Sequence, residues 1–223
     1  MRKIFVLGDL NESKNLKTWA EKLSQWFSHS IECVSIDIKK DVLTEKIESE
    51  DGSMLLIGFE NKKNIQPLLN LCRDLRVPYV FISPESPCVL DKISVPITFL
   101  IEDKEKIPFA SAFGRFAKSE LIIYQPKDYG DKARETIAQA ETLFKSFSLP
   151  YYIKQGKKGS FHIEREAVDE AETEGVGMVL VSASREYGID DIIFGSKEKK
   201  ILKKSKIPVM LINPRADLYT LCD

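Results

Sequence analysis

The chain is 223 residues long, 43% hydrophobic, 30% charged and 9% aromatic, a composition that excludes disorder, collagen-like repeats and an integral membrane protein. Lys and Arg total 33 against 34 Asp and Glu, a net charge of -1, so no global positive field is available to hold a nucleic-acid backbone or an anionic membrane. At roughly 150 residues per domain, the length allows one large core or two modest ones.

The amino terminus carries Arg2 and Lys3, but its apolar run ends at Gly8 and Asp9, too soon for a signal-peptide core. It reads as the buried first strand of a cytoplasmic protein. Strand-length apolar runs then alternate with amphipathic segments of helix length. The pattern predicts strands near 2–8, 31–37, 53–59 and 77–83, with helices over 14–27, 42–48 and 64–75. In the last helix Ile65, Leu68, Leu69, Cys72 and Leu75 fall on one face. Crossovers of this kind build a parallel sheet, and no apolar run approaches the roughly 20 residues that span a bilayer.

Pro84, Pro87 and Pro96 interrupt the pattern and mark the expected junction between a unit over 1–90 and another over 95–223. The alternation restarts with strands near 97–102, 120–125, 151–155, 177–182 and 207–212. Helices over 105–118, 130–147, 160–174 and 195–205 separate them. The first unit therefore falls one strand and one helix short of the second. Met54–Gly58 and Met178–Val181 each precede a helix and then an apolar strand with proline near its start, Val77–Ile82 and Ile207–Ile212. The two units read as a tandem pair whose first copy is abbreviated.

The chemistry-bearing residue types form few recognisable patterns. Cys33, Cys72, Cys88 and Cys222 contain no Cys-x-x-Cys pair, and His29 and His162 lack metal-ligand spacing, so reduced thiols and no metal site are expected. There is no Gly-x-Ser-x-Gly elbow, and Glu164 and Glu166 read as exposed positions on an amphipathic helix. Catalysis is not expected. Gly156-Lys157-Lys158-Gly159 reads as a strand-to-helix loop, since it lacks the spacing of a phosphate loop. The lysines from Lys197 to Lys206 read as a solvated helix face, with Ile201 and Leu202 opposite.

The segment from Val179 to Ile212 resembles the end of a universal stress protein domain. In that family a strand leads into Gly-x2-Gly-x9-Gly-(Ser/Thr), the last pair opens a helix, and a Pro-Val-apolar strand closes the sheet. Gly195-Ser196 and Pro208-Val209 match, whereas Ser182 and Arg185 stand where the first two glycines belong. The resemblance covers 97–213 in full element order and 1–83 as an abbreviated copy. It implies an α/β, parallel-sheet, Rossmann-like fold of the adenine nucleotide α-hydrolase type, in tandem copies.

It also implies a role in stress response and pairing of two such domains through their last strands, as a homodimer or within one chain. The candidate nucleotide site comprises Glu102, Asp103, Ser182, Arg185, Gly188, Gly195 and Ser196. The family places an Asp after the first strand against adenine, so Glu102 or Asp103 has that role, or Asp103 caps the helix that follows. Arg185 either obstructs the phosphate pocket, points outward, or offers its own guanidinium to an anion. Because glycine is what lets bare N–H groups approach a phosphate, the motif implies a non-catalytic protein with nucleotide binding lost, no cofactor, and an unknown protein partner. The alternative is an ATP-binding stress protein, with Mg and weak or no hydrolysis. Asp9 carries the same two readings in the first unit, where the missing Gly-Ser pair implies no nucleotide.

Overall fold

Strands with apolar residues at consecutive positions need cover on both faces, and the chain supplies helices for each. The computed structural model describes residues 1–11, 13–59, 64–128, 130–184 and 196–215. The first half runs β1 (Lys3–Leu7), α1 (Lys14–Phe27), β2 (Ser30–Val34), α2 (Lys40–Ser49), β3 (Gly52–Gly58), α3 (Ile65–Cys72) and β4 (Tyr79–Ile82). The second runs β5 (Lys92–Pro96), a 3-10 turn (Ile101–Glu105), α4 (Lys106–Phe116), β6 (Glu120–Gln125), α5 (Gly130–Ser146) and β7 (Tyr151–Gln155). It continues with α6 (Ile163–Glu170), β8 (Met178–Ser182), α7 (Lys197–Lys204) and β9 (Val209–Ile212).

Local signals account for the element ends. Ser13 accepts a hydrogen bond from Leu16 N and caps α1, whose Leu16, Trp19, Ala20 and Leu23 recur at helical spacing and are buried. That helix stops at Ser28, which adopts a left-handed conformation (φ 54°). Asn15 Nδ2 donates to Ser83 O and Ser86 O, pinning the proline-rich connection between the halves onto the same helix.

The nine strands form one sheet in the order β2-β1-β3-β4-β9-β8-β5-β6-β7. Each half is parallel throughout, and the halves meet where β4 runs antiparallel to β9, with Tyr79 opposite Leu211, Val80 opposite Met210 and Phe81 opposite Val209. The Tyr79 hydroxyl donates to Asn213 Oδ1 (2.8 Å), and Asn213 Nδ2 donates to Cys72 O and Leu75 O, fixing the chain just past β9. The order in the first half is that of the second with its edge strand removed. Helices α1, α4 and α5 cover one face through Trp19, Phe113 and Phe144, while α2, α3, α6 and α7 cover the other through Ile47, Ile65, Ala167 and Leu202. No helix among the described residues is long and apolar enough to cross a membrane.

One element differs from the sequence expectation. The strand anticipated at 97–102 lies at Lys92–Pro96, and the residues after it form a loop and the 3-10 turn. Proline is tolerated there because it closes the strand: Ile97 N donates to Tyr124 O, so the donor Pro96 lacks faces the β8 side, where pairing with β5 has ended at Ser94.

Candidate functional site

Open parallel sheets bind ligands beyond the carboxyl ends of their strands, where the strand order reverses. In the second half that crevice lies between β5 and β8. Thr98 and Asp103 follow β5, Ser182 ends β8, and Lys106 opens α4. The crevice is filled from within.

Lys106 is fully buried, and its Nζ lies 2.9 Å from Asp103 Oδ1 while donating to Glu164 Oε1 (2.8 Å) and Pro96 O (2.7 Å). Asp103 also accepts from Thr98 N and from Ser182 Oγ (2.7 Å), so both its oxygens are engaged. Glu164 accepts in addition from Ser182 N (2.8 Å) and from Lys197 Nζ (2.6 Å), which also donates to Ser182 O (2.8 Å). Two ammonium groups and two carboxylates thus close a neutral quartet. Burial pushes the Glu164 carboxyl up, but the Lys106 and Lys197 charges more than reverse this and hold it at about 2. Burial likewise pulls the Lys197 ammonium down, and Glu164 and Glu198 beside it carry it above the usual lysine value.

Other backbone donors on the same rim are met in the same way. Lys157 N and Lys158 N donate to the two oxygens of Glu166, both at 2.7 Å. The glycine-flanked loop Gly156–Gly159 therefore does hold an anion, and the anion is the protein's own carboxylate. Ser160 N and Oγ donate to Asp128 Oδ1, depressing that carboxyl below its ordinary value through the backbone hydrogen bond first. Ser184 N donates to Glu198 Oε1 at 2.5 Å. Five carboxylates from the chain thus accept from backbone N–H groups along this rim.

Of the residues singled out from sequence, Asp103 and Ser182 come together in this cluster, and Glu102 is buried on the 3-10 turn. Asp103 does not cap α4: the capping position is Glu105, without a side-chain cap bond. Ser196 caps α7, is buried, and accepts from Lys199 N (3.3 Å). Arg185, Gly188 and Gly195 lie outside the described residues. Glu164 and Glu166, expected on an exposed helix face, are buried because each meets a fixed donor set. Lys197 likewise leaves the solvated face to pair with Glu164. Lys106 escaped the sequence reading altogether, although its position three residues after Asp103 was a usable signal for a helical ion pair.

The equivalent place in the first half forms a cleft among the described residues. At the ends of β1 and β3 it has a volume of about 620 Å³, and its described lining residues include Gly8, Asp9, Ile36, Asp37, Gly58 and Leu68. Gly8 adopts φ +101°, which favours glycine, and among the described residues a Cβ there would meet nothing within 4 Å. A Cβ on Gly58 would approach Leu16 Cδ2 to 3.1 Å, which explains the glycine where β3 passes under α1.

A doubly wound sheet with two strand-order reversals defines the class of protein: a Rossmann-like α/β fold. No family model matches the sequence, and no curated protein matches it. Solved structures do. A universal stress protein from Archaeoglobus fulgidus DSM 4304 aligns over 96% of this chain and 97% of its own, at 15% identity and a TM-score of 0.64. A putative universal stress protein from Pseudomonas aeruginosa UCBPP-PA14 aligns over 95% of this chain and 82% of its own, at 12% identity and a TM-score of 0.54. A functionally unknown protein from Pseudomonas aeruginosa PAO1 gives 95% and 82%, at 14% identity and a TM-score of 0.53. The chain thus has the universal stress protein fold.

Proposed function

We propose that this chain is a tandem universal stress protein-like module, non-catalytic and without nucleotide binding in its second half, that acts in stress response through protein contacts. The observation that carries the reading is the self-filled crevice: Lys106 occupies the space between β5 and β8, and internal carboxylates take up the surrounding backbone donors. A nucleotide entering there would have to displace buried, mutually neutralising charges, which costs more than the phosphate contacts return. The abbreviated first copy is supported by the matching strand orders. The antiparallel β4–β9 ladder supports pairing of the two copies within one chain, because it consumes the strand edges that two separate copies would share.

Native mass spectrometry with and without Mg-ATP tests both parts. The expected spectrum in either condition is a single bare chain of 25.4 kDa. A stoichiometric adenine-nucleotide adduct overturns the loss of binding in favour of an ATP-binding stress protein, and a stable dimer overturns the intrachain pairing.

A further inference from the structure

The ends of α1, α4 and α5 leave an aromatic surface on one face of the sheet. Phe116 closes α4 and Phe147 follows α5, and the two are 47% and 44% exposed. Phe27, at the end of α1, packs against Phe116 with ring centroids 5.7 Å apart. Arg115 is exposed and sits against both phenylalanines, its Cζ 5.0 Å from the Phe116 ring centroid and 4.3 Å from that of Phe147. The backbone fixes this arrangement. Gly114 lets α4 approach the chain after α5, since a Cβ there would lie 3.0 Å from Leu149 Cδ1. Left-handed residues, Lys118 (φ 61°) and Ser148 (φ 52°), then turn the chain out of both helices. Neither Arg115 nor Lys118 has a carboxylate partner among the described residues, and the ring and charge contacts of this surface are all made among them.

We infer that this surface docks an acidic peptide segment of a partner protein, with an apolar side chain against Phe116 and Phe147 and a carboxylate on Arg115. The inference rests on the reading that the chain acts through protein contacts, and supplies the chemistry of the partner. Stacking on two rings orders the guanidinium in advance, so less rotamer freedom is lost when a carboxylate takes its N–H groups. Arginine beside exposed aromatic rings is also the composition of binding hot spots. A second copy of the chain fits poorly, because a two-fold contact through this surface would set Arg115 and Lys118 against the same charges. Glu141 of α5 could not relieve that repulsion, since it already accepts from the Tyr151 hydroxyl and pairs with Lys145. A nucleic-acid strand fits poorly too: two cations displace few counterions from a phosphate backbone, and the chain carries a net charge of -1.

The test is amide NMR of the full chain titrated with the peptide Ac-Asp-Leu-Phe-Glu-Asp-NH2 and its uncharged counterpart Ac-Asn-Leu-Phe-Gln-Asn-NH2. The acidic peptide should move the Phe116, Lys118 and Phe147 signals and bind about tenfold more tightly than the uncharged one. Arg115→Gln, at an exposed position, should bring the two peptides within about twofold of each other. Phe147→Ser should weaken the acidic peptide by about tenfold, with unchanged signals elsewhere reporting an intact fold. No shifts at millimolar acidic peptide, equal binding of the two peptides, or a preference for the acid that survives Arg115→Gln would each overturn the inference. So would tighter binding of oligothymidylate at the same signals, or signals that move with protein concentration alone. Mg-ATP added to a separate sample reads the proposed loss of nucleotide binding by itself, at the Ser182 and Ser184 amides, so the two readings fail independently.

Discussion

Replacing Lys106 by Met removes the cation at the centre of the quartet while roughly keeping its volume. Asp103 and Glu164 then face each other's charge in a buried crevice with Lys197 as the remaining ammonium, giving a net charge of about one negative unit. The size of the effect follows from Glu164. Its carboxyl is held at about 2 against an ordinary 4.5, and at about 1.36 kcal/mol per pH unit this differential stabilises the folded chain by about 3 kcal/mol near neutral pH. Lys106 is the larger of the two charges responsible, and removing one partner of a buried pair costs about 3–5 kcal/mol. Lys106→Met should therefore lower stability by about 3 kcal/mol at pH 7, or about 6–12 °C in Tm for a chain of this size.

The sign with pH is fixed by the direction of the shift. A depressed carboxyl contributes fully above its unfolded value of 4.5 and loses that contribution as pH falls towards about 2. The gap between wild type and Lys106→Met in urea unfolding should accordingly narrow between about pH 5 and about pH 3. Adding Glu164→Gln restores neutrality and should recover more than half of the loss. A gap under about 1 kcal/mol at pH 7, or one that stays constant with acidification, would refute the claim that the quartet is an interdependent charge cluster.

Gly177→Ala should cost about 1–3 kcal/mol in denaturant unfolding, because the new Cβ would lie 1.8 Å from Val89 O, so the backbone carrying Val89 would have to shift. Ser13→Ala removes the acceptor for Leu16 N and should cost about 1 kcal/mol by the same measurement. Burial pushes the Cys72 thiol well above its ordinary value, whereas Cys33 is exposed. Iodoacetamide labelling followed by peptide mapping should therefore modify Cys33 in the native chain and Cys72 only after unfolding.

The alternation of strands and helices was legible because each element carries its own period, and the two halves could be compared element by element. What misled was a local rule applied in the wrong place. Pro96 looked like a break before a strand over Ile97–Glu102, yet it ends a strand whose ladder on the β8 side has already stopped, so its missing donor is not needed. The carboxylates of α6 were misplaced for a different reason. Glu164 and Glu166 sit among helix residues that face the core, and a lone carboxylate there is so costly that exposure is the default reading. Their partners are remote or irregular: Lys106 is 58 positions away, and the donors for Glu166 are backbone N–H groups of a loop. No periodicity encodes such contacts.

The two strand-end regions differ less in backbone than in where the charges point. Both halves place an aspartate near the end of their first strand, Asp9 after β1 and Asp103 after β5, and both reverse strand order beside it. In the second half a lysine three residues on turns back into the crevice, and the acids of α6 and α7 follow it inward to meet donors that a ligand would have used. In the first half no lysine lines the corresponding cleft among the described residues, and Asp9 and Asp37 are exposed. Filling one site from within makes its contents part of the core, since the charges cannot be exchanged without the cost estimated for Lys106.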